Sequence, residues 1–349
     1  MERIAQLLGD AVHARVTPAA TVEVGCAGRV LWHHATGRLT YAPDAPPCRL
    51  DTIFDLASLT KVISTATLAM RVAEADARWC DTRLADLDSR WTGADRADVT
   101  VRQLLDHSSG LPAHVRLYEH TAGRDAYFTT IAATPLAYAP GTESQYSDLG
   151  FMLLGLLLEQ RLGATLDVAF ASSASHVDGP LLFTPPVDMR AEIAPTEVDP
   201  WRGRTVQGEV HDENCAALGG VAGHAGLFGT VRAVGSFAQS VLQTLAHDSW
   251  LARRATMQQF VTRSQVPGSS RALAWDTMLP TSSCGTRMSP RAIGHTGFTG
   301  TSLWIDPEQD VYVALLTNRV HPTRDGDGIQ PLRRAVSDAA VDARRSIVS

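Results

Sequence analysis

Strand-like and helix-like apolar spacings alternate along this chain. Its first residues, MERIAQLLGDAVHARV, interleave apolar positions with Glu2, Arg3, Asp10 and Arg15 in the manner of an amphipathic helix. Residues 21–24 and 29–34 are apolar-rich runs separated by a turn holding Gly25 and Gly28, which predicts a β-hairpin. A second hairpin is predicted near the end, with strands over 301–305 and 311–316 joined by Asp306-Pro-Glu-Gln-Asp310. Between the hairpins lie helical patterns over 59–75, 101–105, 125–133, 147–162 and 233–246. This order predicts a sheet assembled from both chain termini, with the middle of the chain supplying the helices. A length of 349 residues exceeds what one core usually covers, so a large α/β domain with an inserted lobe, or two lobes, is expected.

Two stretches break the pattern. Residues 171–215 are rich in Pro, Ser and Asp and read as a surface excursion or lobe connection. Residues 219–229, GGVAGHAGLFG, carry five glycines in eleven positions but match neither a dinucleotide fingerprint nor a P-loop, so close backbone packing beside a site is expected.

Composition removes several function classes. With 44% hydrophobic and 19% charged residues the chain is an ordinary globule, and a net charge of −6 without a basic stripe argues against nucleic acid and anionic membranes as partners. The longest apolar run, 149–158, is ten residues, about half of the roughly 20 that a membrane span needs, and reads as a buried helix. No secretory leader is visible, and five cysteines without a C-x-x-C pair suggest neither a disulfide framework nor a zinc site. A cytoplasmic setting is expected, with no metal and no cofactor; His33 and His34, adjacent on a strand, point to opposite faces.

The 31 basic residues comprise 30 Arg and one Lys, Lys61. A guanidinium stays protonated, whereas an ammonium can lose its proton when buried, so Lys61 stands out as a place where Arg cannot serve. Ser58 lies three residues earlier, on the same face of the predicted helix, in the S-x-x-K spacing of an activated serine nucleophile. Tyr146 sits at a loop end just before Ser147 or Asp148 caps the next helix, where a Lys61 ammonium would favour its phenolate. Gly294-His-Thr-Gly-Phe-Thr-Gly300 precedes the last hairpin, and its small residues let a strand edge approach a substrate and donate a backbone N–H to an oxyanion. There is no G-x-S-x-G elbow and no H-E-x-x-H. His107, His211, Asp212 and His224 are further polar candidates.

Ser58-x-x-Lys61, Tyr146-Ser-Asp148 and His295-Thr-Gly297, in this order, resemble the three motifs of the class C β-lactamase superfamily (S-x-x-K, Y-x-N, K-T-G), which includes penicillin-binding DD-peptidases and family VIII carboxylesterases. The resemblance runs from about residue 20 to 320. It implies an α+β fold, an antiparallel sheet built from both chain termini and flanked by helices with an inserted all-helical lobe, the site between them, divided here as 1–80 plus 205–349 and 81–204. It also implies an acyl-enzyme on Ser58, Lys61 and Tyr146 sharing the role of general base, and an oxyanion held by the N–H groups of Ser58 and Phe298.

Two positions depart from the pattern: Asp148 stands for Asn and His295 for Lys. A His that is mostly neutral near pH 7 anchors a substrate carboxylate weakly, and Asp148 adds negative charge. The expectation is therefore a carboxylesterase on small neutral esters, unless a nearby Arg replaces the lost cation. The alternatives are β-lactamase, D-Ala-D-Ala carboxypeptidase or D-aminopeptidase activity on a small ester or amide, and a catalytically silent binding module of the same fold. Residues 111–135 and 171–215 are expected to border the acyl and alcohol pockets.

Overall fold

The computed structural model describes residues 1–348. Ala19–Cys26 is buried along its whole length because it is an interior strand of a six-stranded antiparallel sheet. The sheet runs in the order Arg29–Gly37, Ala19–Cys26, Val311–Thr317, Ser302–Asp306, Ile293–Thr296, Asp276–Thr277. Val22 lies opposite His34 on one side and Leu315 on the other, so strands from both termini meet at its centre, as the two apolar hairpins predict. Alternate side chains face opposite ways. Val22, Val24, Val313 and Leu315 pack under the terminal helices Glu2–His13 and Ile329–Val348 through Ile4, Leu8, Val336 and Val341. The other face meets the helix Val231–Ala246. The architecture is α+β, an antiparallel sheet flanked by helices.

The middle of the chain is helical. In Asp148–Leu162 the Ser147 hydroxyl caps the first turn by accepting the Gly150 N–H at 3.1 Å, and Gly163 ends the helix with a left-handed φ of 67°. Leu149 to Leu158 are all buried, which makes the ten-residue apolar run a core helix. Among the described residues no single helix is long and apolar enough to cross a membrane.

The 171–215 stretch is more than a surface excursion. Leu181–Phe183 pairs with Leu227–Gly229, which pairs with Phe54–Asp55 in a second, three-stranded sheet. Ile193, Ala194 and Thr196 are buried, and the Asn318 amide holds the Pro195 carbonyl at 2.9 Å. These apolar residues are too few in a row to show periodicity, so only the partners reveal them as core. The glycine-rich stretch packs as expected: a Cβ on Gly223 would lie 2.9 Å from the Gly155 Cα, so the loop and the core helix touch backbone to backbone.

Candidate active site

Ser58 follows a tight turn at the mouth of a helix. Ala57 holds φ at 47°, a conformation that costs a residue with a Cβ about 1 kcal/mol or more. The turn is over-determined: one Asp55 carboxylate oxygen accepts the Ala57 N–H at 2.8 Å, and the other accepts the His211 N–H at 2.6 Å. Thr299 and Thr301 donate to the Asp55 and Leu56 carbonyls at 2.8 and 3.0 Å, tying the turn to the His-Thr-Gly segment. Gly297 is required there, since a Cβ would sit 2.7 Å from the Leu56 carbonyl oxygen. Beyond Ser58 the helix widens into a π-helical turn, Lys61–Thr65, before continuing as Ala66–Ala75.

Lys61 lies completely buried under the nucleophile. Its Nζ meets three acceptors, one for each ammonium proton: Ser58 Oγ at 3.0 Å, Asp148 Oδ1 at 2.8 Å and the His224 carbonyl at 3.0 Å. Burial is the largest single influence and opposes the charge, but Asp148 and Tyr146, by charge and hydrogen bonding together, outweigh it and hold the amine above its ordinary value. The reverse pull keeps Asp148 well below the usual carboxylate range despite its own burial. Tyr146 hydroxyl is 2.7 Å from Ser58 Oγ. Burial first, then the Asp148 charge, raises its pKa in spite of Lys61. The resting site thus differs from the sequence expectation: Lys61 is a held ammonium and Tyr146 a neutral phenol, because Asp148 supplies the negative charge that Asn would lack.

His107 supports Tyr146 from behind. Its Nδ1 accepts the Ser147 N–H at 3.0 Å, and its ring packs 4.8 Å from Tyr146 and 4.9 Å from Phe151. His295 Nδ1 donates to the Thr296 carbonyl at 2.8 Å, which leaves Nε2 as a buried acceptor without a partner among the described residues. Burial and the nearby Arg271 push His295 well below the ordinary histidine value, so it is neutral. His224 Nε2 pairs with Asp212 at 2.8 Å, and Asp212 also caps the short helix Glu213–Ala217. His211 pairs with Glu197 at 2.9 Å and stacks on Phe298, which is half exposed and flanked by Arg319. Neither the Ser58 nor the Phe298 backbone N–H has an internal acceptor among the described residues.

These groups surround a cleft of about 610 Å³ lined by Ser58, Tyr146, Asp148, His295, Thr296, Gly297 and Phe298, with Lys61 beneath it. His211, Asp212 and His224 line it too, whereas His107 does not. From 111–135 only His114 lines it, and from 171–215 only His211, Asp212 and Glu213. Most of the lining residues without a sequence signal are arginines: Arg271, Arg319, Arg324 and Arg333. With 30 Arg in the chain, nothing local singles out these four. Among the described residues no cluster of three or more His, Cys, Asp or Glu could hold a metal.

Fold and site define the class, a serine hydrolase built on the fold of β-lactamases and penicillin-binding proteins. A family model described as Beta-lactamase matches residues 4–337, and the chain belongs to that family. It is 32% identical over 313 residues to an Escherichia coli K12 protein named "Putative D-alanyl-D-alanine carboxypeptidase", covering 77% of this chain and 70% of that one. A penicillin-binding protein homologue from Caulobacter crescentus shares the fold at 18% identity with a TM-score of 0.78, covering 98% of this chain and 97% of its own. EstCE1, titled a hydrolase with promiscuous acyltransferase activity, shares it at 19% identity with a TM-score of 0.72, covering 96% and 98%.

Proposed function

We propose that this protein hydrolyses small esters or amides that carry a free carboxylate on the leaving side, through an acyl-enzyme on Ser58. The observation that carries this reading is Arg271. It lines the cleft beside neutral His295, with its guanidinium carbon 5.3 Å from the Tyr146 ring centre, and its acidic neighbour Asp276 is no closer than 3.9 Å. It stands where a cation is needed once the motif lysine has become His295. The carboxypeptidase name of the Escherichia coli relative supports the same class.

Protons circulate in this reading, because neither Lys61 nor Tyr146 rests as a free base. As Ser58 Oγ attacks the carbonyl carbon, its proton passes to the Tyr146 oxygen while the Tyr146 proton passes to the leaving-group atom. The Lys61 ammonium stabilises charge developing on both oxygens, and the Ser58 and Phe298 N–H groups receive the oxyanion. Deacylation runs the cycle in reverse: water gives a proton to Tyr146 as Tyr146 returns one to Ser58.

The test compares an N-acyl-D-alanyl-D-alanine dipeptide with its C-terminal amide. Wild type should prefer the free carboxylate at least tenfold, and Arg271→Gln should erase that preference. Equal turnover of the two, alongside faster hydrolysis of p-nitrophenyl butyrate, would instead establish the neutral carboxylesterase, a second reading that neutral His295 and the half-exposed Phe298 favour. Five buried, unpaired cysteines support the accompanying proposal of a reducing, cytoplasmic setting, to be checked by cell fractionation.

A further inference from the structure

Arg333 projects from the terminal helix Ile329–Val348 to the cleft wall and is only 7% exposed. No carboxylate pairs with it among the described residues. Burial, and after it the charge of another cation, Arg319, lowers its pKa to about 9. Burying a lone charge beside a like charge is expensive. Tethering a helix to two carbonyls needs no charge, since a neutral amide side chain can donate the same bonds.

The partners of Arg333 explain the expense. Its Nη2 donates to the Gly297 carbonyl at 2.7 Å and to the Thr301 carbonyl at 2.8 Å, while Nε has no partner among the described residues. The Gly297 carbonyl also accepts the Gly300 N–H at 3.0 Å, and Arg319 Nε holds the next carbonyl, Phe298, at 2.9 Å. A trans peptide is planar, with C=O and N–H pointing in opposite directions. Gripping the Gly297 oxygen therefore fixes the direction of the Phe298 N–H, which like that of Ser58 has no internal acceptor among the described residues. A cation on the oxygen side also polarises the peptide and strengthens its N–H as a donor.

We infer that Arg333 is the positioning residue of the oxyanion pocket, aligning and polarising the Gly297–Phe298 peptide from behind. It touches neither nucleophile nor leaving group and acts through one peptide bond. The inference rests on the acyl-enzyme reading above and adds a residue that no motif contains.

The experiment uses the full chain with Arg333→Gln and Arg333→Lys, a neutral substrate (p-nitrophenyl butyrate) so that no substrate anion is involved, and phenylboronic acid, whose tetrahedral adduct on Ser58 mimics the oxyanion. For Arg333→Gln, kcat should fall about 10- to 100-fold with KM within twofold, and boronate affinity should fall in parallel. Arg333→Lys keeps charge and donors, should retain the wild-type near-ultraviolet dichroism, and should recover part of both losses; it carries the test where the Gln variant does not fold. Unchanged boronate affinity in a folded variant would overturn the inference, as would a loss confined to carboxylate-bearing substrates. A wild-type protein in which a phosphonate leaves Ser58 unlabelled would bring down the acyl-enzyme reading itself, and the role of Arg333 with it. Labelled Ser58 with an indifferent Arg333→Gln would bring down only the latter.

Discussion

In the sheet, Glu23 is 1% exposed and faces Tyr312, whose hydroxyl donates to one carboxyl oxygen at 2.8 Å while the other oxygen has no partner among the described residues. In the cleft, Asp148 faces Lys61 at 2.8 Å and keeps a fifth of its side chain in solvent. Burial drives Glu23 up to about 7, since a phenol is a weak substitute for water. The same force acts on Asp148 and is outweighed there by the charge and hydrogen bond of Lys61 together with His114 and His224. Two acids in one molecule thus reach opposite states, and the difference lies in whether a cation shares the site. The sheet core tolerates an acid by neutralising it; the cleft keeps a full ion pair, which is the form that can move or stabilise protons.

The sharpest way to break the contrast is to give Asp148 the company of Glu23. Lys61→Met removes the cation and should cut turnover of a p-nitrophenyl ester about a thousandfold. It should also destabilise the fold by about 2 kcal/mol in urea, less than for a fully buried broken pair because Asp148 still reaches water. An unchanged urea midpoint would mean that the pair is not held as described.

The next effect is on the other acid. Glu23 binds its proton in the folded state up to about pH 7, whereas an unfolded Glu releases it near 4.3. The folded state therefore holds more protons between those values, and stability falls as pH rises through the window, by up to about 3 kcal/mol. Glu23→Gln should remove that decline. Parallel stability curves for the two proteins between pH 4.5 and 7 would contradict a neutral Glu23.

A smaller change is expected from Asp148→Asn, which restores the residue the family motif carries. Burial then dominates Lys61 and takes its pKa down. Rates should drop about tenfold at pH 8 and recover as the pH is lowered and the ammonium returns, an acid-side recovery that wild type lacks. Wild-type stability should draw on the pair from above the unfolded Asp value near 3.9 up to the Lys value near 10.4, so the stability gap to the variant narrows below pH 4. A variant with a wild-type pH profile would show that Asp148 does not set the state of Lys61.

Much of the site was legible from spacing. Ser58 and Lys61 lie one helical turn apart, so their contact at 3.0 Å follows from local geometry, even though a π-turn begins at Lys61. Tyr146 was legible as a loop-end aromatic before a cap, and Gly297 as a small residue on a strand edge. How Lys61 and Tyr146 divide the proton work was left open by the sequence, because Asp148 in the motif position reads only as an Asn with a charge until its distance to Lys61 is known. The buried turns of 171–215 were missed for a different reason: strands of two or three residues, such as Leu181–Phe183, are too short for alternation to show.

Two things followed from the amino-acid sequence alone: a sheet joined from both ends of the chain, and an ordered set of motifs around its only lysine. Both depend on periodicity and on residue type at short range. The tertiary structure alone decided which protonation states the site adopts and which of 30 arginines serve it. Lys61 meets Asp148 across 87 residues of chain and the His224 carbonyl across 163, and Arg333 reaches Gly297 from the far side of the last hairpin. Charge state is set by desolvation and by the distance to the nearest opposite charge, and neither quantity exists until distant segments are packed together.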